Sequence, residues 1–179
     1  MTNRIIERDK EVGLCRNLAG YSWEWNTKGK IRLTRCSSFG NFEEVKQINA
    51  SEIQDYINRG VYDIDIDGNK YIWNTKYDGW LSTPSSLYEI GCIHTIQGFD
   101  LNYAGVIIGN ELKYNPKNKK IYIDKDNYFD KSGKQATREE DLLRYILNIY
   151  KVLCSRGIHG TYIYACDENL RNYLKQYID

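Results

Sequence analysis

Apolar side chains recur along this chain in two rhythms, one of about 3.6 residues and one of two, and their succession outlines a fold before any motif is read. Ile5, Ile6, Val12, Cys15 and Leu18 lie loosely on one stripe and predict a helix over residues 4–18 that Gly20 ends. Tyr21, Trp23 and Trp25 alternate with Ser22 and Glu24, the period of a strand. Turn residues fill 26–30, and 31–36 predict a returning strand. Ser51-Glu52-Ile53-Gln54 has the spacing of a capping box for a helix reaching Arg59, with Gly60 as its stop. Asp67-Gly68 sits between two alternating runs and predicts a hairpin over 62–73, because that pair accepts the positive φ of a type I′ turn.

The second half alternates strand and helix. Residues 91–94 predict a short buried strand, a helix begins near Gln97, and 104–108 form an apolar run of strand length. A second hairpin over 113–123 turns through Asn115-Pro116-Lys117-Asn118. Thr137 caps a long helix with Glu139, Glu140 and Asp141 in its first turn, where the helix dipole favours anions. Its stripe is Leu142, Leu143, Ile146, Ile149, Tyr150 and Leu153. Gly157 stops it, 160–165 are a strand, and a last helix over 168–178 packs Leu170, Tyr173, Leu174 and Tyr177 inward. Strands separated by helices imply an α/β domain with a mainly parallel sheet covered on both faces, its central strands 91–94, 104–108 and 160–165. In such sheets the working residues sit in loops at the strands' carboxyl ends.

Composition narrows this without redirecting it. The 179 residues suit a single domain around one core. Apolar residues are 41% and charged residues 27%, so disorder is not indicated. A net charge of +1 excludes nucleic-acid binding by bulk charge and leaves only local contact. Five cysteines with no C-x-x-C pair point to free thiols in a reducing compartment. The first ten residues hold no apolar signal core, and no run reaches the ~18 apolar residues of a membrane span. The expected location is cytoplasmic.

Most candidate chemistry falls in two stretches. His94-Thr95-Ile96-Gln97-Gly98-Phe99-Asp100 would present hydroxyl, amide and carboxylate groups at a sheet edge, which suits ribose and phosphate. The other is Lys151-Val152-Leu153-Cys154-Ser155-Arg156-Gly157. Elsewhere, Asp63, Asp65, Asp67 and Gly68 match the opening of a calcium loop, but position twelve is Asn74 and the flanks are strand-like, so a hairpin with solvated carboxylates is preferred. His94 and His159 lack ligand-spaced partners, and no metal site is assigned. The Tyr21, Trp23, Trp25 stripe is read as a core face over a base-stacking one, and Lys117, Lys119 and Lys120 as a solvated turn.

The T-I-Q-G-F-D run with its V-I-I-G strand, the K-V-L-C-S-R-G-I-H-G-T-Y-I-Y run, and Ala19 to Trp25 with Ile72-Trp73-Asn74 are together similar to the Schlafen-group-3-like DNA/RNA helicase domain family of bacterial ATPases, a superfamily 1 helicase type. The resemblance implies a RecA-like three-layer domain carrying antiparallel hairpin insertions, and only the second of two motor domains. No G-x-x-x-x-G-K-[ST] occurs in the chain, so the phosphate-cradling half is not here. By the same resemblance Gln97, Gly98 and Asp100 line a nucleotide cleft and His94 and Thr95 lie near nucleic acid, DNA or RNA. Many relatives carry Glu where Asp100 stands. Arg156 corresponds to an arginine finger. ATP with Mg²⁺ is expected only when a phosphate-loop domain is supplied in cis or in trans, and the isolated chain is expected to be inactive. The competing reading is a non-catalytic adaptor that keeps the fold and docks a protein or nucleic acid, in which Arg156 is a helix C-terminal cation.

Overall fold

Gly13 turns a helix into a strand. Helix α1 (Thr2–Val12) ends where Gly13 takes φ 69° with its N–H on the Asp9 carbonyl. Leu14 follows at φ 48°, and the Cys15 N–H donates to the Asp9 carboxylate at 2.8 Å. The chain then extends as β1 (Cys15–Ala19), buried at every position. The helix expected over 4–18 is therefore two elements. Arg16 and Asn17 hid the strand, since neither residue reads as interior. Arg16 is accommodated by the Asp9 carboxylate at 2.9 Å, the Ser86 hydroxyl at 2.8 Å and the Cys15 carbonyl at 2.8 Å.

The computed structural model describes residues 1–28, 30–31, 48–135 and 138–178. Within them, α2 (Ala50–Asn58) begins on a capping box formed by Asn49 and Glu52, two residues ahead of the one expected at Ser51 and Gln54. β2 (Ile64–Ile66) and β3 (Asn69–Tyr71) make the expected antiparallel hairpin, with Asp67 and Gly68 both at positive φ. β4 (Ile90–Gly91), β5 (Leu101–Ile108), the hairpin β6 (Leu112–Asn115) and β7 (Lys120–Ile123), α3 (Glu139–Cys154), β8 (Gly157–Ala165) and α4 (Glu168–Leu174) follow. The expected cap Thr137 and most of the strand expected over 31–36 lie outside the described residues.

The main sheet is four-stranded and wholly parallel, in the order β4-β1-β5-β8. On one face Leu18, Ala104, Val106, Ile108 and Ala165 meet the α3 stripe of Leu142, Ile146, Ile149, Tyr150 and Leu153 together with Leu170 of α4. On the other, α1 lies against β1 and β5, close enough that a Cβ on Gly105 would meet Ile5 Cγ1 at 2.8 Å. This is the three-layer α/β arrangement of a RecA-like domain, with two antiparallel hairpins attached. The central strands are β1 and β5, whereas β4 and β8 form the edges. Strand 91–94 shrinks to Ile90–Gly91, because the Thr95 hydroxyl bonds both the Cys92 N–H and the Cys92 carbonyl at 3.0 Å and starts a turn. No helix forms at Gln97, since Gly98 sits at φ 77° and 93–98 stay in turns. Tyr21 to Trp25 is not a strand either: the Ser22 N–H donates to the Gly20 carbonyl at 2.9 Å and bends the chain. The last helix stops at Leu174, leaving Tyr177 72% exposed.

Candidate functional site

Asp100 immediately precedes β5 and Arg156 immediately precedes β8, and the parallel register of these neighbouring strands brings the two side chains together. Arg156 Nη1 stands 3.3 Å from Asp100 Oδ1, with the arginine side chain 24% and the aspartate 59% exposed. The guanidinium also donates to the Val152 carbonyl at 3.2 Å and the Phe99 carbonyl at 3.4 Å, while the Leu101 N–H donates to the Arg156 carbonyl at 2.7 Å. Gln97 and Gly98 are exposed just upstream. Candidates far apart in sequence thus form one cluster at the amino ends of β5 and β8, not at the carboxyl ends where the open-sheet rule put them.

Apolar side chains are left in the open around this pair. Phe99 is 51% and Ile158 67% exposed, and Val12, Leu14 and Val152 are exposed beside them in sequence or in space. Asn102 ties the turn before β1 to this end of β5: its side chain donates to the Val12 carbonyl at 2.8 Å and the Gly13 carbonyl at 3.0 Å, and its N–H to the Leu14 carbonyl. The result is an outward-facing ion pair within an apolar rim.

His94 and Thr95 go elsewhere. Gly91 pairs with Leu18 and Leu18 with Val106, so the turn after β4 begins at the carboxyl end of the sheet. Thr95 is buried and its hydroxyl is engaged within the turn. The His94 ring lies 5.9 Å from that of Tyr21 and 6.4 Å from that of Tyr77. Tyr21 donates its hydroxyl proton to Cys92 Sγ at 3.1 Å, and burial beside that thiol holds the phenol well above its ordinary range. Tyr21, Trp23 and Trp25 all pack on the Trp73 ring, as the core-face reading expects.

Two buried carboxyl groups were missed, Glu89 and Glu111. Glu111, just past β5, is 0% exposed. Its backbone N–H donates to Ser22 Oγ at 3.2 Å, and the Tyr150 hydroxyl, which accepts from the Gly109 N–H, donates to Glu111 Oε1. Burial pushes the Glu111 carboxyl up from the usual carboxylate range. An acid directly after a buried strand was the available signal, but in sequence it looks like a loop residue.

The calcium-loop carboxylates are taken up by hydrogen bonds within the fold, and Asp63 is buried where a solvated carboxylate was expected. Asp63 accepts from Thr27 N–H and Oγ1 and from the Trp73 N–H, Asp65 from the Gly68 N–H, and Asp67 from the Tyr164 hydroxyl. Among the described residues no cluster of three His, Cys, Asp or Glu side chains is placed to hold a metal. A cavity of about 170 Å³, lined by Met1, Thr2, Ile66, Asp67, Tyr71 and Tyr164 among others, contains none of His94, Thr95, Gln97, Gly98, Asp100 and Arg156. It is smaller than the roughly 300 Å³ at which ligand pockets usually start.

Residues 1–167 match the model of the family described as Schlafen group 3, DNA/RNA helicase domain. An uncharacterized protein of Saccharomyces cerevisiae is 32% identical over 183 aligned residues, which cover 97% of this chain. The chain spans about a third of that relative, 34% of its length. No solved structure matches.

Proposed function

Because the chain belongs to the Schlafen group 3 DNA/RNA helicase domain family, we propose that it acts as the second RecA-like domain of a superfamily 1 helicase-type ATPase in the cytoplasm. It would complete a nucleotide site shared with a first domain that bears the phosphate loop, and would contact nucleic acid. The observation that carries this reading is the Asp100–Arg156 pair, set among exposed apolar side chains at the amino ends of β5 and β8. Exposed apolar surface gathered around charged groups is characteristic of a docking face. Gln97 and Asp100 are exposed beside the partly exposed Arg156, which suits half of a cleft.

ATP with Mg²⁺, held against the partner's phosphate loop, would supply the phosphoryl group. Arg156 would then exchange its contact with Asp100 for the charge that develops on the transferred group, a role that acts mainly in the transition state. Asp100 would hold the guanidinium in place until that contact forms and would accept from a ribose hydroxyl.

The isolated chain should hydrolyse ATP no faster than a buffer blank, because its sequence holds no G-x-x-x-x-G-K-[ST] loop to position the β- and γ-phosphates and the metal. Phosphate release measured on extensively purified protein checks this. Addition of a phosphate-loop domain, fused or separate, should bring activity up. Two observations favour the adaptor reading: Arg156 is already paired with an acid and bonded to two carbonyls, the surroundings of a cation kept for stability, and Thr95, expected on the same side as Arg156, lies at the opposite end of the sheet. Reconstitution separates the two readings, since an adaptor stays inactive whatever domain is supplied.

A further inference from the structure

Tyr77 is a large ring left 60% exposed on a loop that is clamped at both ends. Glu89, itself 0% exposed, accepts from Thr75 N–H at 2.7 Å and Thr75 Oγ1 at 2.9 Å on one side of the loop, and from Trp80 Nε1 at 2.7 Å on the other. Between these anchors Gly79 makes the tight turn at φ 67°, and the Lys76 carbonyl accepts from the Asn74 side chain at 3.2 Å. A mobile loop tip would need no such fastening.

Behind Tyr77 stands a series of rings. Its nearest is His94, with planes 27° apart and centroids 6.4 Å apart. His94 faces Tyr21 at 5.9 Å, and Tyr21 faces Trp73 at 5.7 Å, which is 1% exposed. The series runs from the core out through His94 to Tyr77, both exposed, so two neighbouring rings face solvent on a loop whose backbone is fastened before any ligand arrives. Exposed aromatics of this kind suit a flat π-faced ligand, and Lys76, the preceding residue of the same loop, adds a cation suited to a phosphate.

We infer that Tyr77, backed by His94, is a stacking platform for an unpaired base of single-stranded nucleic acid. This rests on the nucleic-acid half of the proposed function and adds the residue and the strandedness. Paired bases have both faces occupied by their neighbours, so a duplex gains little from the ring, whereas an unstacked base gains roughly 1–3 kcal/mol per aromatic contact.

The test titrates the full chain into a fluorescein-labelled oligo-dT strand and reads anisotropy, with an oligo-U strand and a dT·dA duplex as further probes. Tyr77→Ala should weaken single-strand binding about 5- to 150-fold, as that contact energy implies. Tyr77→Phe should stay within about twofold of wild type and Tyr77→Trp should match or exceed it, because the ring and not the hydroxyl makes the contact. Tyr177→Ala, which removes an exposed tyrosine remote in sequence, should bind as wild type does. Circular dichroism establishes that each variant is folded. Wild-type binding that Tyr77→Ala leaves unchanged, that Tyr177→Ala weakens equally, or that favours duplex overturns this inference and leaves the proposed function standing. A wild-type chain that binds none of the three probes overturns both this platform and the nucleic-acid half of that reading, while the ATPase reconstitution still tests the other half.

Discussion

Arg156→Ala should lower ATP hydrolysis by the reconstituted two-domain protein by about 10³-fold or more, the scale at which arginine fingers act, while nucleotide affinity changes by less than about threefold. The asymmetry follows from when the contact is made. In the resting chain the guanidinium is occupied by Asp100 and two carbonyls, so ground-state nucleotide gains little from it, and its value appears as charge moves in the transition state. The same substitution should barely alter unfolding. The Asp100 carboxylate is 59% exposed, and ion pairs of that exposure contribute about 0–1 kcal/mol. Steady-state kinetics, nucleotide titration and urea unfolding on one pair of proteins decide the matter. A variant that loses stability and keeps turnover shows the arginine to be a structural cation and favours the adaptor reading.

A large loss of stability should come from Gly109→Ala. A Cβ there would lie 2.5 Å from Glu111 Oε2 and would also run into Ser22, in a place where the loop after β1, the end of β5 and Tyr150 of α3 are bonded together. Moving Ser22 strains the bonds its hydroxyl makes with the Glu111 N–H and the Asn127 carbonyl, and moving the Glu111 carboxyl strains the one Oε1 accepts from Tyr150, so the cost should be about 3 kcal/mol or more, a large share of the 5–15 kcal/mol typical of whole domains. Gly68→Ala makes a useful contrast. Nothing lies within reach of its Cβ, and only the positive φ opposes it, for about 1 kcal/mol. Urea midpoints that rank Gly68→Ala as the worse variant would show that the Glu111 cluster is loosely packed.

Stability should also fall with rising pH through the same cluster. Burial holds the Glu111 carboxyl above its ordinary range, so the folded chain keeps a proton that the unfolded chain releases near pH 4.3. That contribution is complete below about pH 4.3 and is lost as pH rises through the folded value. Glu111→Gln keeps the shape and cannot ionise. It should track wild type near pH 4 and become progressively the more stable of the two toward pH 8, as urea unfolding at several pH values would show. A difference between the two proteins that is constant with pH would mean that Glu111 is ionised in the folded chain.

Much of this architecture could be read locally. The α3 stripe, both hairpins and β5 depend on periodicity and on turn pairs such as Asp67-Gly68, where residues a few positions apart settle the conformation. The family resemblance was legible too, because its motifs are contiguous runs. What escaped the sequence was settled by partners far along the chain. β1 is a strand because β4 and β5 flank it and distant groups satisfy Arg16, which outweighs a helical stripe that continued by coincidence. Glu111 is interior because Ser22 and Tyr150 close over it. Asp100 and Arg156 meet at the amino edge while His94 is held beside Tyr21 near the other, since a parallel sheet sends the chain back across itself between β4 and β5. Residue identity and spacing determined which groups were present and which local shapes they preferred. Strand order and long-range hydrogen bonding decided which of them share a surface, because burial and register arise only once remote segments have packed.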